Sequence, residues 1–182
     1  MQKTEFEEIF DEIVARPLEA IGFQKKGTRL LSDDGLVQIA WVRGGGRLAS
    51  PGTIVHLACF RHSFLRDKSE TVPTAAPGEP GEYPWVFSSE ELLNTNPQDW
   101  AFDPSRLMSL PYGRLDFSTL STADVISALT DRRTAFTKYV SWARALSLKE
   151  AHEQIASHVE KFWVARLWDQ DYRSFPTSSH PV

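Results

Sequence analysis

The stretch Gly22-Phe23-Gln24-Lys25-Lys26-Gly27-Thr28-Arg29-Leu30-Leu31 constrains the fold of this chain more than any other. Ahead of it, Phe6, Ile9, Phe10, Ile13, Val14, Leu18 and Ile21 recur at three- and four-residue spacing, with Glu5, Glu8, Asp11, Glu12 and Glu19 mostly between them. That periodicity predicts a helix with one buried face and one acidic, solvated face. Thr4 and Glu7 have capping-box spacing, Pro17 is expected to kink or tighten the last turns because it removes a helical N–H, and Gly22 is a natural terminator. Beyond the junction, residues 23–31 and 36–43 read as strands paired around Ser32-Asp33-Asp34-Gly35, since an Asp-Gly turn uses the positive φ that glycine tolerates. Gly44-Gly45-Gly46 forms a tip before a third strand at 53–61. A helix followed at once by an antiparallel sheet is an α+β beginning.

The order of a long N-terminal helix, Gly-Phe-x-Lys-Lys-Gly and a hairpin resembles a bacterial domain-of-unknown-function family, number forty-three-oh-four. Val37-Gln38-Ile39-Ala40-Trp41 stands where that family carries a strand with Gln before apolar residues. Ile54-Val55-His56-Leu57-Ala58-Cys59-Phe60 is similar to its next strand. The resemblance covers residues 5–62, about a third of the chain. It implies the fold more than an activity, and it carries no catalytic residue over. Some members look like immunity proteins encoded beside bacterial toxins.

Later segments add helices and a loop. Residues 69–84 hold Pro73, Pro77, Pro80 and Pro84 with Gly78 and Gly81, a composition that predicts a loop or lid. Residues 85–120 mix aromatics with turn formers and are expected to drape over the sheet, with a helical turn near 89–93. A helix is predicted at 122–146, and Ser147 with Glu150 opens another to about Trp168, with Ile155, Val159, Phe162, Trp163 and Leu167 inward. The short connection favours an antiparallel pair. Residues 1–173 therefore read as a single α+β domain, in which a sheet of three to five strands packs against the first helix and the closing pair at 122–168. Residues 174–182 read as a flexible tail.

Charge is segregated although the net value is only −4. Residues 1–21 hold two basic and six acidic side chains, 22–68 eight and three, 69–131 two and ten, and 132–182 eight and five. Such alternation opposes a uniformly basic nucleic-acid face and is compatible with steering of a charged protein partner. No apolar run approaches the roughly 20 residues of a membrane span, and no leader pattern opens the chain. With Cys59 the only cysteine, a cytoplasmic location is expected.

Few residue sets suggest chemistry. His56, Cys59 and His62 are the nearest approach to a metal cluster, but on a strand the histidines share one face and Cys59 takes the other. His152-Glu153 lacks the second histidine of a zinc-protease helix, because Ala156 stands there. Gly44-Gly45-Gly46-Arg47 has no phosphate-loop spacing. Glu90, Glu91, Asp99, Asp103 and Asp116 match no calcium loop and read as acidic surface. No metal or cofactor is expected. The richest set is basic and aromatic: Lys25, Arg29, Arg43, Arg47, Arg61 and Arg66 with Trp41, Tyr83 and Trp85, residue types that dominate interface hot spots. These nine residues predict a groove for an acidic partner. The leading expectation is a non-enzymatic protein-binding module, of the kind that occludes a toxin. The alternatives are an enzyme assembled from His56, His62 and acidic residues of the middle segment, and, more weakly, a binder of single-stranded nucleic acid.

Overall fold

The amphipathic pattern of the first twenty residues becomes one helical rod with a wide turn in its middle. The computed structural model describes residues 1–44, 51–65, 83–108 and 113–175. Helix α1 (Lys3–Phe10) passes into a π-helical turn at Asp11–Ala15 and then into α2 (Arg16–Glu19). Pro17 has no N–H to offer the carbonyl of Ile13 four residues back. Arg133 Nη1, from a later helix, donates to that carbonyl at 2.9 Å instead. The expected capping box of Thr4 and Glu7 does not form. The helix begins two residues earlier, with Gln2 at its N-cap and no side-chain cap, and the Glu7 carboxylate is held elsewhere, by Arg43.

Among the described residues six antiparallel strands follow: β1 (Gln24–Lys26), β2 (Arg29–Asp33), β3 (Val37–Gly44), β4 (Thr53–His62), β5 (Trp85–Ser88) and β6 (Arg114–Asp116). Neighbours run β1-β2-β3-β4-β5, and β6 pairs with the start of β4. The single strand expected at 23–31 is itself a hairpin, because Gly27 turns the chain at φ +60° and sets Lys26 opposite Arg29. Lys25 lies opposite Leu30 and therefore does not share a face with Arg29. The Asp34-Gly35 turn forms as expected, with Asp34 Oδ1 accepting from the N–H groups of Leu36 and Val37.

One sheet face carries Leu30, Ile39, Trp41, Ala58, Phe60, Trp85 and Phe87, and the helices close over it. The other face carries Ala40, Val42, Val55, Leu57, Cys59, Tyr83 and Val86, each no more than 5% exposed. Both faces of β4 and β5 are thus buried. Near-continuous apolar runs such as Ile54–Phe60, broken only by His56, are what such strands require.

Helix α3 (Ser89–Asn94) opens on a capping box between Ser88 and Glu91, a 3₁₀ turn occupies Pro97–Asp99, and α4 spans Ser105–Met108. Helix α5 (Thr122–Ala145) buries Val125, Leu129, Phe136, Tyr139, Val140 and Ala143. The Ser147–Glu150 box opens α6 (Leu148–Ala156) as expected. The second closing helix is not continuous, however. It breaks over 157–162 and resumes as α7 (Trp163–Ser174). The break shifts the buried face: Val164, Ala165 and Trp168 turn inward, while Trp163 is 51% exposed. His152 Nε2 and Asp169 Oδ1, 2.7 Å apart, tie the two halves together.

Gly52 sits at φ +83°, its carbonyl accepts from the N–H groups of Phe117 and Ser118, and an added Cβ would lie 2.6 Å from Ser118 Cβ. Gly52→Ala combines left-handed strain with a backbone-anchored clash and is expected to cost about 2–3 kcal/mol. Gly35→Ala carries the strain in open space and is expected to cost only about 1 kcal/mol. Urea midpoints of the two variants test that order, and equal losses would refute the packing of β6 against the Gly52 turn.

Candidate functional site

Among the described residues the basic–aromatic groove expected from the sequence does not assemble. Trp41 and Trp85 lie beneath the helices and Tyr83 lies on the opposite sheet face, all three at 1–2% exposure. Trp85 Nε1 donates to Gln154 Oε1, so even its polar atom faces inward. Arg43 lies over the Phe10 ring and holds both Glu7 oxygens, at 2.5 and 2.6 Å. Arg61 donates through Nε to Gln38 Oε1, which belongs to a ladder ending at Asp33, and its guanidinium lies over Tyr83. Lys25 pairs with Asp11 at 2.5 Å. Arg29 is half-buried on β2, and Arg47 and Arg66 lie outside the described residues, as do 69–82 of the expected loop and 176–182 of the expected tail. The physical reason is burial on both sheet faces: aromatic side chains on the strands have no open face to line.

The histidines offered for catalysis are also separated. His56 packs against Phe10 and Trp41, with ring centroids 5.5 and 5.2 Å away. His62, at the other end of β4, packs against Phe60, Phe64 and Tyr172. His56 is 1% exposed, and among the described residues neither ring nitrogen has a hydrogen-bond partner. Burial, then the nearby guanidiniums of Arg43 and Arg132, push its pKa well below the ordinary value. The crevice beside it, bounded by Trp41, Ser89, Leu92, Arg132 and Phe136, leaves no room for a water molecule.

The middle-segment carboxylates are engaged locally. Glu90 pairs with Arg132 at 2.7 Å and Glu91 with Arg106 at 2.8 Å. Asp99 caps the 3₁₀ turn, Asp103 and Asp116 close turns with Ser105 and Ser118. Those serine hydrogen bonds hold the carboxyls of Asp103 and Asp116 below the usual range. Among the described residues no group of three or more His, Cys, Asp or Glu side chains could hold a metal ion.

A solvent-open concavity lies elsewhere. The end of α3 and the 3₁₀ turn stand against the middle of α5 and leave a groove of about 310 Å³ open to solvent. Leu92, Trp100 and Ala135 form a buried floor. Trp100 Nε1 already donates to Thr95 Oγ1 at 2.8 Å, so the floor presents apolar surface. Leu93, 39% exposed, stands at the lip, and Asp131 and Lys138 line the α5 side. Sequence reasoning missed this place, although Leu92-Leu93 in a one-sided helical turn must leave one leucine outward. No family model, no curated protein and no solved structure matches the chain. Among the described residues no helix is long and apolar enough to cross a membrane.

Proposed function

We propose that this chain is a non-enzymatic, cytoplasmic protein-binding module, an immunity-type inhibitor that occludes a bacterial toxin. The observation that carries the reading is the α3–α5 groove: an apolar floor with an exposed leucine at its lip and opposite charges on one wall. At about 310 Å³ it stands at the lower end of small-molecule pockets. Its open, mixed lining suits side chains offered by a partner better than an enclosed metabolite. It also stands where the acidic segment 69–131 meets the basic segment 132–182, which gives an encounter field with direction. The Gly-Phe-x-Lys-Lys-Gly resemblance points to the same class. By contrast, His56 is dry and Asp169 is tied to structural partners, His152 and Arg173.

The test is to purify the product of the adjacent reading frame and titrate it with this protein. A stoichiometric complex by calorimetry, with loss of the neighbour's toxic activity over the same titration, is the expected result. A neighbour that stays active and unbound at micromolar concentrations refutes the proposal.

A further inference from the structure

We infer that the α3–α5 groove receives an extended segment of the partner, about four residues long, with a basic side chain at one end, an acidic side chain at the other and aliphatic side chains between. This rests on the protein-binding reading and names what the groove selects. Asp131 and Lys138 are seven residues apart on α5, which places them on one helix face and about 10 Å apart along its axis. Among the described residues neither has an ion-pair partner, whereas the neighbouring Arg132 is already paired with Glu90. The wall is therefore marked negative at one end and positive at the other.

The occupant follows from dimensions. A groove of about 310 Å³ takes in only a few side chains, and so short a segment does not hold a helix in water. An extended chain advances roughly 3.3 Å per residue, so three steps span the distance from Asp131 to Lys138. Aliphatic side chains between the two ends meet Leu93, Trp100 and Ala135, and burial of that apolar area supplies the affinity. The exposed charges contribute little affinity and set the direction in which the segment lies.

Three capped peptides test this: acetyl-Arg-Leu-Leu-Asp-amide, acetyl-Arg-Leu-Leu-Arg-amide and acetyl-Asp-Leu-Leu-Asp-amide. In an NMR titration the first is expected to bind tighter than the other two by roughly two- to tenfold, the range exposed ion pairs support, with shifts centred on Leu93, Trp100 and Ala135. Lys138→Glu is expected to turn that preference toward the Arg-Leu-Leu-Arg peptide and Asp131→Lys toward the Asp-Leu-Leu-Asp peptide, reversals no loss of folding can mimic. Leu93→Asp is expected to weaken all three. Equal affinities for the three peptides, a preference unmoved by the charge changes, or shifts remote from the groove would overturn the inference. If these fail while the neighbouring gene product still forms its complex, the groove is excluded and the binding reading stands. If that complex also fails, the reading itself is wrong.

Discussion

Glu7→Gln is expected to lower the unfolding free energy by about 2–3 kcal/mol at neutral pH. Glu7 lies on α1 and takes both terminal nitrogens of Arg43, whose side chain is only 10% exposed and rests on Phe10. Removing one partner of a buried pair leaves an uncompensated charge in an apolar place, typically at 3–5 kcal/mol. The Glu7 side chain is 34% exposed, so water screens part of that loss and the lower figure applies. The loss should belong to the stranded guanidinium rather than to the missing carboxylate. Glu7→Leu/Arg43→Met removes both charges and is expected to lie within about 1 kcal/mol of the wild type. Urea unfolding of Glu7→Leu, Arg43→Met and the double variant completes the cycle. Additive losses in the double variant would show that the pair contributes nothing as a pair.

That ion pair marks where the sequence stops being legible. Arg43 continues an apolar strand and Glu7 sits at a capping-box spacing, so each has a plausible local role that hides the other. Where the signal is local, the reading holds: Thr122 begins α5, Ser147 and Glu150 begin α6, and Asp34 closes its turn. Residues 85–88 were obscured because a strand buried on both faces shows no alternation, and 114–116 because three residues, exposed, buried and half-buried in turn, are too few to show a period. The break between α6 and α7 has neither proline nor glycine to announce it. It is made by tertiary contacts: Trp168 is fully buried and Asp169 is bound by His152. The site failed for a related reason. Arginine and tryptophan are interface residues and also core-boundary residues, and only the covering of the second sheet face decides which. The run Ile54–Phe60, apolar at nearly every position, carried that information, and it argues against an open groove on the strands. The α3–α5 groove depends on a pairing of segments about 40 residues apart in sequence, a relation no periodicity records.

Acid is expected to destabilise the protein from about pH 6.5 downward, and His56 is the expected source. It is shut in by Phe10, Trp41 and Phe136, with the guanidiniums of Arg43 and Arg132 on two sides. The carboxylates that could offset a third positive charge, Glu7 and Glu90, already serve those arginines. The folded protein therefore keeps the ring neutral well below its ordinary pKa of 6.5. The unfolded chain takes up the proton first, so the unfolded state gains as pH falls. Stability is full above pH 6.5 and falls beneath it by up to about 1.4 kcal/mol per pH unit for as long as the folded ring stays neutral. The carboxyls of Asp33, Asp103, Asp116, Glu150 and Asp169 are held below their ordinary values. Their stabilising effect is lost only as pH falls below the ordinary carboxylate range, so the two windows separate. His56→Leu keeps about the same volume and removes ring nitrogens that lack partners among the described residues. It should be near neutral or stabilising at pH 7.5 and should flatten the curve between pH 6.5 and 4.5. Arg43→Met removes one of the two cations and is expected to leave the onset in place and end the loss at a higher pH, because the protonated ring becomes easier to accommodate. Unfolding free energies at half-unit pH intervals decide the matter. A His56→Leu curve parallel to the wild type would mean that the imidazole finds a counter-charge or solvent in the folded protein, and the dry, doubly flanked histidine would have to be abandoned.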